Sequence, residues 1–279
     1  MSALSPLESL YDARRGRALR LPATLARLYG ELFVRSARGR PLVISNFVSS
    51  LDGLVSLAEP GHEAAGEISG FHAQDRMVMG LLRALADAVV VGAGTLRVEP
   101  DHIWSPDYIL PELKAEFAAL RRSLRKRGPP LNVIVSASGK LDMRARLFQS
   151  GDVPVLIVTT RAGAAALHAQ RTPPSLQIAS ARGSGPIRAS TVLDETLKRR
   201  SGKVILVEGG PQLLADFYAE HCIDEQFLTL APQIAGRSQA HDRPSLVMGK
   251  TFAPHHPLWG ELLSVKRGAS HLFLRYRFA

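Results

Sequence analysis

The stretch "DAVVVGAGTLRVEP", residues 87–100, decides how the rest of the chain is read. Ala88, Val89, Val90 and Val91 form an apolar run that reads as a buried strand, and it stops abruptly at Gly92-Ala93-Gly94-Thr95. Glycine lacks a Cβ. It therefore serves either a tight turn or a backbone that must come close to a phosphate. On this stretch alone both readings stand.

Upstream, Met77, Val78, Leu81, Leu82 and Leu85 recur at helical spacing and predict a helix over 72–86. Before it lies a strong strand, "PLVISNFVSS" (41–50); a helix is expected from about Pro22 to Arg35, and residues 1–21 read as weakly structured. Downstream, "PDHIWSPDYILP" (100–111) is a Pro-rich loop, and Pro111 starts a helix carrying Leu113, Phe117, Leu120 and Leu124. Strands then follow at 131–137, 154–160, 176–180 and 203–210, with helices in "RAGAAALHAQ", "STVLDETLKRR" and "PQLLADFYAEH". The last three strands, "DEQFLTLAP" and a hairpin in "GELLSVKRGASHLFLRYRF", have no helices between them. Alternation predicts an α/β fold whose parallel sheet is covered on both faces, and the terminal hairpin predicts an antiparallel edge. The expected organisation is an N-terminal extension, 1–40, with one helix, and a single domain over 41–279.

The chain has 279 residues, 46% of them hydrophobic, enough for a sizeable core. One cysteine, Cys222, excludes an internal disulfide framework and any cysteine-based zinc cluster. No run approaches the roughly 18 apolar residues of a membrane span, and the N-terminus lacks the apolar core of a secretory signal. A cytoplasmic protein without a membrane partner is the expectation. The net charge of +10 raises a nucleic-acid reading, but no recognition helix or zinc finger accompanies the basic clusters, and aromatics are only 6% of the chain. A basic balance equally suits anionic small molecules such as phosphates and dinucleotides. The expected partner is such a molecule, not nucleic acid.

A second strand, "KVILVEGG" (203–210), also ends in paired glycines, and Pro211 opens the following helix. Ligands of open α/β sheets sit beyond the carboxyl ends of strands, where helix N-termini present free N–H groups. Two matching tips favour a site over two coincidental turns. The usual dinucleotide fingerprint is nevertheless absent, because Arg97 stands at the third glycine position and Lys114 replaces the expected acidic residue. A third strand end, "ISNFVSSLDG" (44–53), offers Asp52, either as a turn-former bonded to backbone or as a substrate-facing carboxylate. Glu208, directly after "VILV", is costly to bury without a partner.

"SSLDG", "LLRALADAVVVGAGTL", "VEGGP" and "DEQFLTLAPQIAG" occur in order. Together they resemble the reductase half of the bifunctional deaminase–reductase of riboflavin biosynthesis and its stand-alone relatives, over about residues 41–279. The resemblance implies a dihydrofolate-reductase-like fold with a mixed, mostly parallel sheet, a homodimer, and NADPH-dependent reduction of a ribosylaminopyrimidine 5′-phosphate. The deaminase half carries an H-x-E and P-C-x-x-C zinc site, which this sequence lacks, so a reductase alone is expected, with no metal.

The family pattern implies cofactor contacts from Ser49, Gly92, Gly94, Thr95, Glu99, Gly209, Gly210, Pro211, Gln212 and Leu213. Ser136, Thr159 and Arg161 are the candidates near the 2′-phosphate of NADPH. Asn46, Ser69, Arg83 and Glu208 are implied on the substrate side, with Asp52 and Glu208 as the catalytic carboxylates. Other readings stand beside these: Thr95 as a helix N-cap, Ser49 as a plain strand residue, and Arg83 and Arg161 as surface charges. The chemistry is opening of a glycosylamine to an imine and hydride delivery to that carbon. A nearby carboxylate stabilises the positive charge. The family's "DDPxLTxR" is replaced by "VEPDHIWSP", without the arginine that holds the 5′-phosphate, leaving His102 or Arg97 as substitutes. Rival readings are a reductase of another heteroaromatic compound, its pocket built around Trp104, and a non-enzymatic nucleotide- or nucleic-acid-binding protein.

Overall fold

The computed structural model describes residues 4–35, 39–181, 185–238 and 243–278. The chain opens with β1 (Glu8–Asp12), β2 (Arg17–Ala18), α1 (Ala23–Tyr29) and β3 (Phe33–Val34), then enters the central sheet with β4 (Leu42–Ser49). Next come α2 (Ala65–Ser69), α3 (Ala73–Leu85), β5 (Ala88–Gly92), α4 (Ala93–Val98), α5 (Pro106–Ile109) and α6 (Lys114–Ser123). The run continues through β6 (Leu131–Ser136), α7 (Arg146–Gln149), β7 (Val155–Thr159), α8 (Arg161–His168) and β8 (Gln177–Ser180). It closes with α9 (Ala189–Arg199), β9 (Val204–Val207), α10 (Pro211–Ala219), β10 (Glu225–Leu230), β11 (Gly260–Gly268) and β12 (His271–Phe278).

Among the described residues one sheet of ten strands runs β1-β11-β12-β10-β4-β9-β5-β6-β7-β8. From β10 to β8 every neighbour is parallel, whereas β12, β11 and β1 add antiparallel strands at one edge. This is the mixed, mostly parallel sheet with an antiparallel edge expected from the sequence.

The parallel strands β5, β7 and β9 are almost wholly apolar because both their faces are covered. Along β5, Val89 and Val91 enter a core beneath α1, α3 and α6, while Ala88 and Val90 enter another beneath α9 and α10. The chain winds in one direction from β5 through β6 and β7 to β8, then returns so that β9 inserts between β4 and β5. Right-handed crossovers running in opposite directions place their helices on opposite faces, which accounts for the two helix layers. The reversal also leaves a crevice between the carboxyl ends of β5 and β9, the place where such sheets bind ligands.

The N-terminal segment departs from expectation. Residues 8–12 form a strand that pairs with β11, and Leu7, Leu25, Leu28, Tyr29 and Leu32 join the core. The helix expected to reach Arg35 ends at Tyr29, because Gly30 adopts a φ of 85° that breaks the helical path. The loop at 100–111 holds one further short helix, α5, whose Tyr108 N–H donates to Ser105 Oγ at 3.3 Å.

Candidate active site

The tips of β5 and β9 meet. The Glu208 N–H donates to the Val90 carbonyl at 3.0 Å, extending the ladder one residue past β9. The Gly210 N–H donates to Thr95 Oγ1 at 3.1 Å. A Cβ added at Gly209 would lie 2.6 Å from that same oxygen, so glycine is needed for the two tips to close. Thr95 is thus a bridge between the tips and not a helix cap; Gly92 occupies the N-cap of α4. At Gly94 a Cβ would meet nothing within 4 Å, so bare main chain here borders open space.

These tips line a cleft of about 1100 Å³. Asn46, Ser69, Arg83, Gly92, Gly94, Thr95, Glu99, Ser136 and the run Glu208–Leu213, all singled out in the sequence, border it. Its floor carries a buried ion pair. Arg83 Nε donates to Glu208 Oε2 at 2.8 Å, with the two side chains only 2% and 4% exposed. The Arg83 guanidinium is therefore no surface charge. Asn46 Nδ2 stands 3.5 Å from Glu208 Oε1, which leaves that oxygen the less engaged of the two. Ser69 is buried with its hydroxyl donating to the Gly66 carbonyl at 3.2 Å, so it borders the cleft without a free hydroxyl proton.

Beside the pair, His102 Nδ1 lies 3.6 Å from Glu99 Oε1, and its ring packs against Trp104 and Tyr108. Burial pushes the His102 pKa below its ordinary value, and the Arg83 charge adds to that against the pull of Glu99. Burial pushes Glu99 upward, but His102 and Arg83 together hold its carboxyl net below the usual range. With its pKa lowered by burial, His102 is a poorer phosphate partner than an arginine. Trp104 is buried beneath it, its backbone held on both sides by Asn132, and it also lines the cleft.

Four expected contacts fall outside the cleft lining. Asp52 turns away: Oδ1 accepts from the Ser50 hydroxyl at 2.6 Å and the Ala235 N–H at 3.1 Å, and Oδ2 accepts from the Gly236 N–H at 2.7 Å. It ties the β4 loop to the segment after β10, which is the turn-forming reading and not the catalytic one. Ser49 donates to the Ser50 carbonyl at 2.9 Å. Thr159 is fully buried against α8, where a Cβ on Gly163 would fall 2.0 Å from its oxygen. Arg161 is the exposed first residue of α8, beyond the Thr160 cap.

Those three bonds, led by that from Ser50, hold the Asp52 carboxyl down at about 2. A carboxyl depressed on folding contributes stability that is present above its unfolded pKa of about 4 and lost as pH falls through the folded value. Wild-type stability should therefore fall between about pH 4 and pH 2, and Asp52→Asn should flatten that part of the profile. Chemical denaturation at each pH reads the difference; parallel wild-type and variant profiles would contradict this role.

Residues that the sequence reading missed also border the cleft, among them Arg76 and Met79 on α3 and Asp216 on α10. Arg76, Met79 and Arg83 follow the i, i+3, i+7 spacing of a single helix face, a signal present in the sequence once Arg83 is placed. Among the described residues no group of acidic, histidine or cysteine side chains is arranged to hold a metal ion, and no helix is long and apolar enough to cross a membrane.

The strand-tip cleft and mixed sheet define a class for which known proteins exist. The RibD C-terminal domain family matches residues 41–254, and the chain belongs to that family. It is 26% identical over 216 residues to the 2,5-diamino-6-ribosylamino-4(3H)-pyrimidinone 5′-phosphate reductase of Archaeoglobus fulgidus, covering 76% of this chain and 89% of the relative. It is 28% identical over 204 residues to the riboflavin biosynthesis protein RibD of Chlamydia muridarum, spanning 71% of this chain but 48% of that protein. Solved structures share the fold. A pyrimidine reductase-like protein from Corynebacterium diphtheriae superposes with a TM-score of 0.65 at 21% identity, covering 92% of this chain and 99% of that one. RibD from Acinetobacter baumannii gives 0.62 at 22%, with 87% of this chain matched to 59% of that one.

Proposed function

We propose that the protein is an oxidoreductase of riboflavin biosynthesis that reduces a ribosylaminopyrimidine 5′-phosphate with NADPH. The observation that carries this reading is the closure of two bare glycine tips over the buried Arg83–Glu208 pair at the strand-order reversal. The name of the archaeal relative and the family membership support the substrate class.

The cleft residues suit a dinucleotide. Open space at Gly94 lets main-chain N–H groups reach a pyrophosphate, and the start of α10 adds the free N–H groups of Gln212 and Leu213. Ser136, Ala137 and Ser138 border the far end, where the adenosine side would lie. The chemistry supplied by a bound reduced nicotinamide is hydride, delivered to the C1′ carbon of the opened sugar. The protein's own part is positional and electrostatic. Arg83 fixes one oxygen of Glu208 and leaves Oε1 the less engaged, so that the carboxylate bordering the cleft can stabilise positive charge at the reacting carbon. Asn46 limits the direction from which that oxygen is approached. The homodimer and the cytoplasmic location implied by the family resemblance belong to the same proposal, and sedimentation of the purified chain tests the first.

The function is tested by following NADPH oxidation with the deaminated and the undeaminated ribosylaminopyrimidine phosphates. Turnover of at least one to its ribityl product is expected. Bound NADPH with neither compound reduced would overturn the substrate assignment.

A further inference from the structure

Resting on the reductase reading, we propose that Arg121 is a positioning residue for the reaction. From the end of the sheet opposite the cleft it sets α3 against β9, and thereby Arg83 against Glu208. The two halves of that pair sit on separate elements, Arg83 in the last turn of α3 and Glu208 one residue past β9. Arg83 Nε lies 2.8 Å from Glu208 Oε2, and a slide of one element along the other that opened this to beyond about 3.5 Å would lose the hydrogen bond. The offset of α3 and β9 is therefore part of the site.

At the amino ends of β5 and β9 a buried polar cluster fixes that offset. Arg121, in the last turn of α6, is only 7% exposed. Its Nη1 donates to the carbonyls of Arg83, Ala84 and Ala86 at 3.3, 3.1 and 2.8 Å, and its Nε donates to the Gly128 carbonyl at 2.9 Å. The first three lie at the end of α3, where carbonyls have no partner further along the helix, and one belongs to Arg83 itself. Asp87, next in the chain, ties in β9. Its Oδ2 accepts from the N–H groups of Lys203 and Val204 at 2.7 and 3.1 Å, and Lys126 Nζ stands 2.6 Å from Oδ1. A Cβ on Gly202 would fall 2.4 Å from the Asp87 Cβ, so the approach to β9 is closed around this side chain. From Val204 to Glu208 is four residues of extended chain, about 13 Å, and a shift at the base is carried along it to the cleft. Burial brings the Arg121 pKa down to about 10, with Asp87 opposing, so the guanidinium keeps its charge at neutral pH. A charge whose hydrogen bonds run to carbonyls is costly to bury, and an apolar side chain would fill the space with less desolvation. What the guanidinium fork supplies is direction, because its N–H groups fix where those carbonyls lie.

Turnover of the ribosylaminopyrimidine phosphates in the full chain tests this with Arg121→Lys, Arg121→Met and, as a control, Arg122→Met at the exposed neighbouring position. Each protein is first titrated with NADPH so that rates are expressed per bound site. Arg121→Met should lose about 10- to 100-fold in kcat with KM and NADPH affinity near the wild type, Arg121→Lys should lie between, and Arg122→Met should be unchanged. In a Glu208→Gln background the Arg121 substitutions should lower the melting temperature as before yet cost no further turnover, since the charge they misplace is absent. A helix cap with a purely structural role would give the same fold loss in both backgrounds. That result, or wild-type kcat in the Arg121 variants, would overturn the proposal, and the lysine form carries the comparison should the methionine form fail to fold. If the wild type turns over no pyrimidine phosphate, the reductase reading fails, and crystal structures of the wild type and Arg121→Lys judge the positioning. An Arg83–Glu208 separation lengthened past about 3.5 Å in the variant supports it, and an unchanged separation overturns it.

Discussion

Changing Arg83 to methionine is expected to lower stability by about 3–5 kcal/mol, or roughly 10 °C in melting temperature. The size comes from asymmetry. Arg83 and Glu208 are almost wholly removed from water, so their mutual attraction is largely spent on their own desolvation. Deleting one partner recovers none of that cost for the other and leaves a buried carboxylate with only Asn46 at 3.5 Å. The double change Arg83→Met with Glu208→Leu should restore most of the stability, because a well-packed apolar pair costs nothing to desolvate. It should not restore turnover. Glu208→Gln keeps the shape and removes the charge, and it should lower turnover by about 10²- to 10⁴-fold. Thermal melts of the four proteins separate the structural part from the catalytic part. A single Arg83→Met that melts like the wild type would show that the pair is not buried as described.

Gly209→Ala is expected to have the second-largest effect. Its backbone is not in the left-handed region, so alanine is conformationally acceptable there. The difficulty is steric: the new Cβ would lie 2.6, 3.1 and 3.2 Å from three atoms of the Thr95 side chain. Thr95 must move, and its bond from the Gly210 N–H goes with it. Overpacking of this kind costs about 1–3 kcal/mol, and the opened tips should weaken NADPH binding at least about tenfold. Adding Thr95→Ala removes the two closest atoms, so the pair should regain part of the lost melting temperature without regaining full affinity. Unaltered melting in Gly209→Ala alone would mean that the tips do not touch.

How much of this was legible beforehand follows from which interactions are local. The strands at 88–92 and 204–207 could be read because their apolar runs and terminal glycines are contiguous in sequence. The reversal of strand order that sets β9 between β4 and β5 was not legible, because alternating strands and helices fix a parallel sheet but not the order of its strands. Similarly, β1 is an exposed pentapeptide, "ESLYD", and becomes a strand only because the edge of β11 is available to it. Asp52 shows the same limit at the site. An Asp-Gly at a strand end looks alike whether its carboxylate faces a cleft or turns back, and its partners here lie 183 and 184 positions away. Arg161 starts a helix on the surface, and Thr159 lies beneath a glycine of that helix, placements that depend on how α8 packs. Arg76 escaped notice for a different reason: an arginine on an amphipathic helix reads as solvated surface until the cleft beside it is known.

Gly94 offers the most direct measurement, because a side chain added there meets open space and leaves the fold alone. NADPH and NADH are titrated separately into the wild type and Gly94→Leu, with melting curves recorded in parallel. The account predicts that the wild type prefers NADPH, and that Gly94→Leu melts like the wild type yet binds NADPH at least about 100-fold more weakly, as a side chain occupying the phosphate path requires. Equal affinity in the two proteins would place the coenzyme somewhere other than the joined tips of β5 and β9.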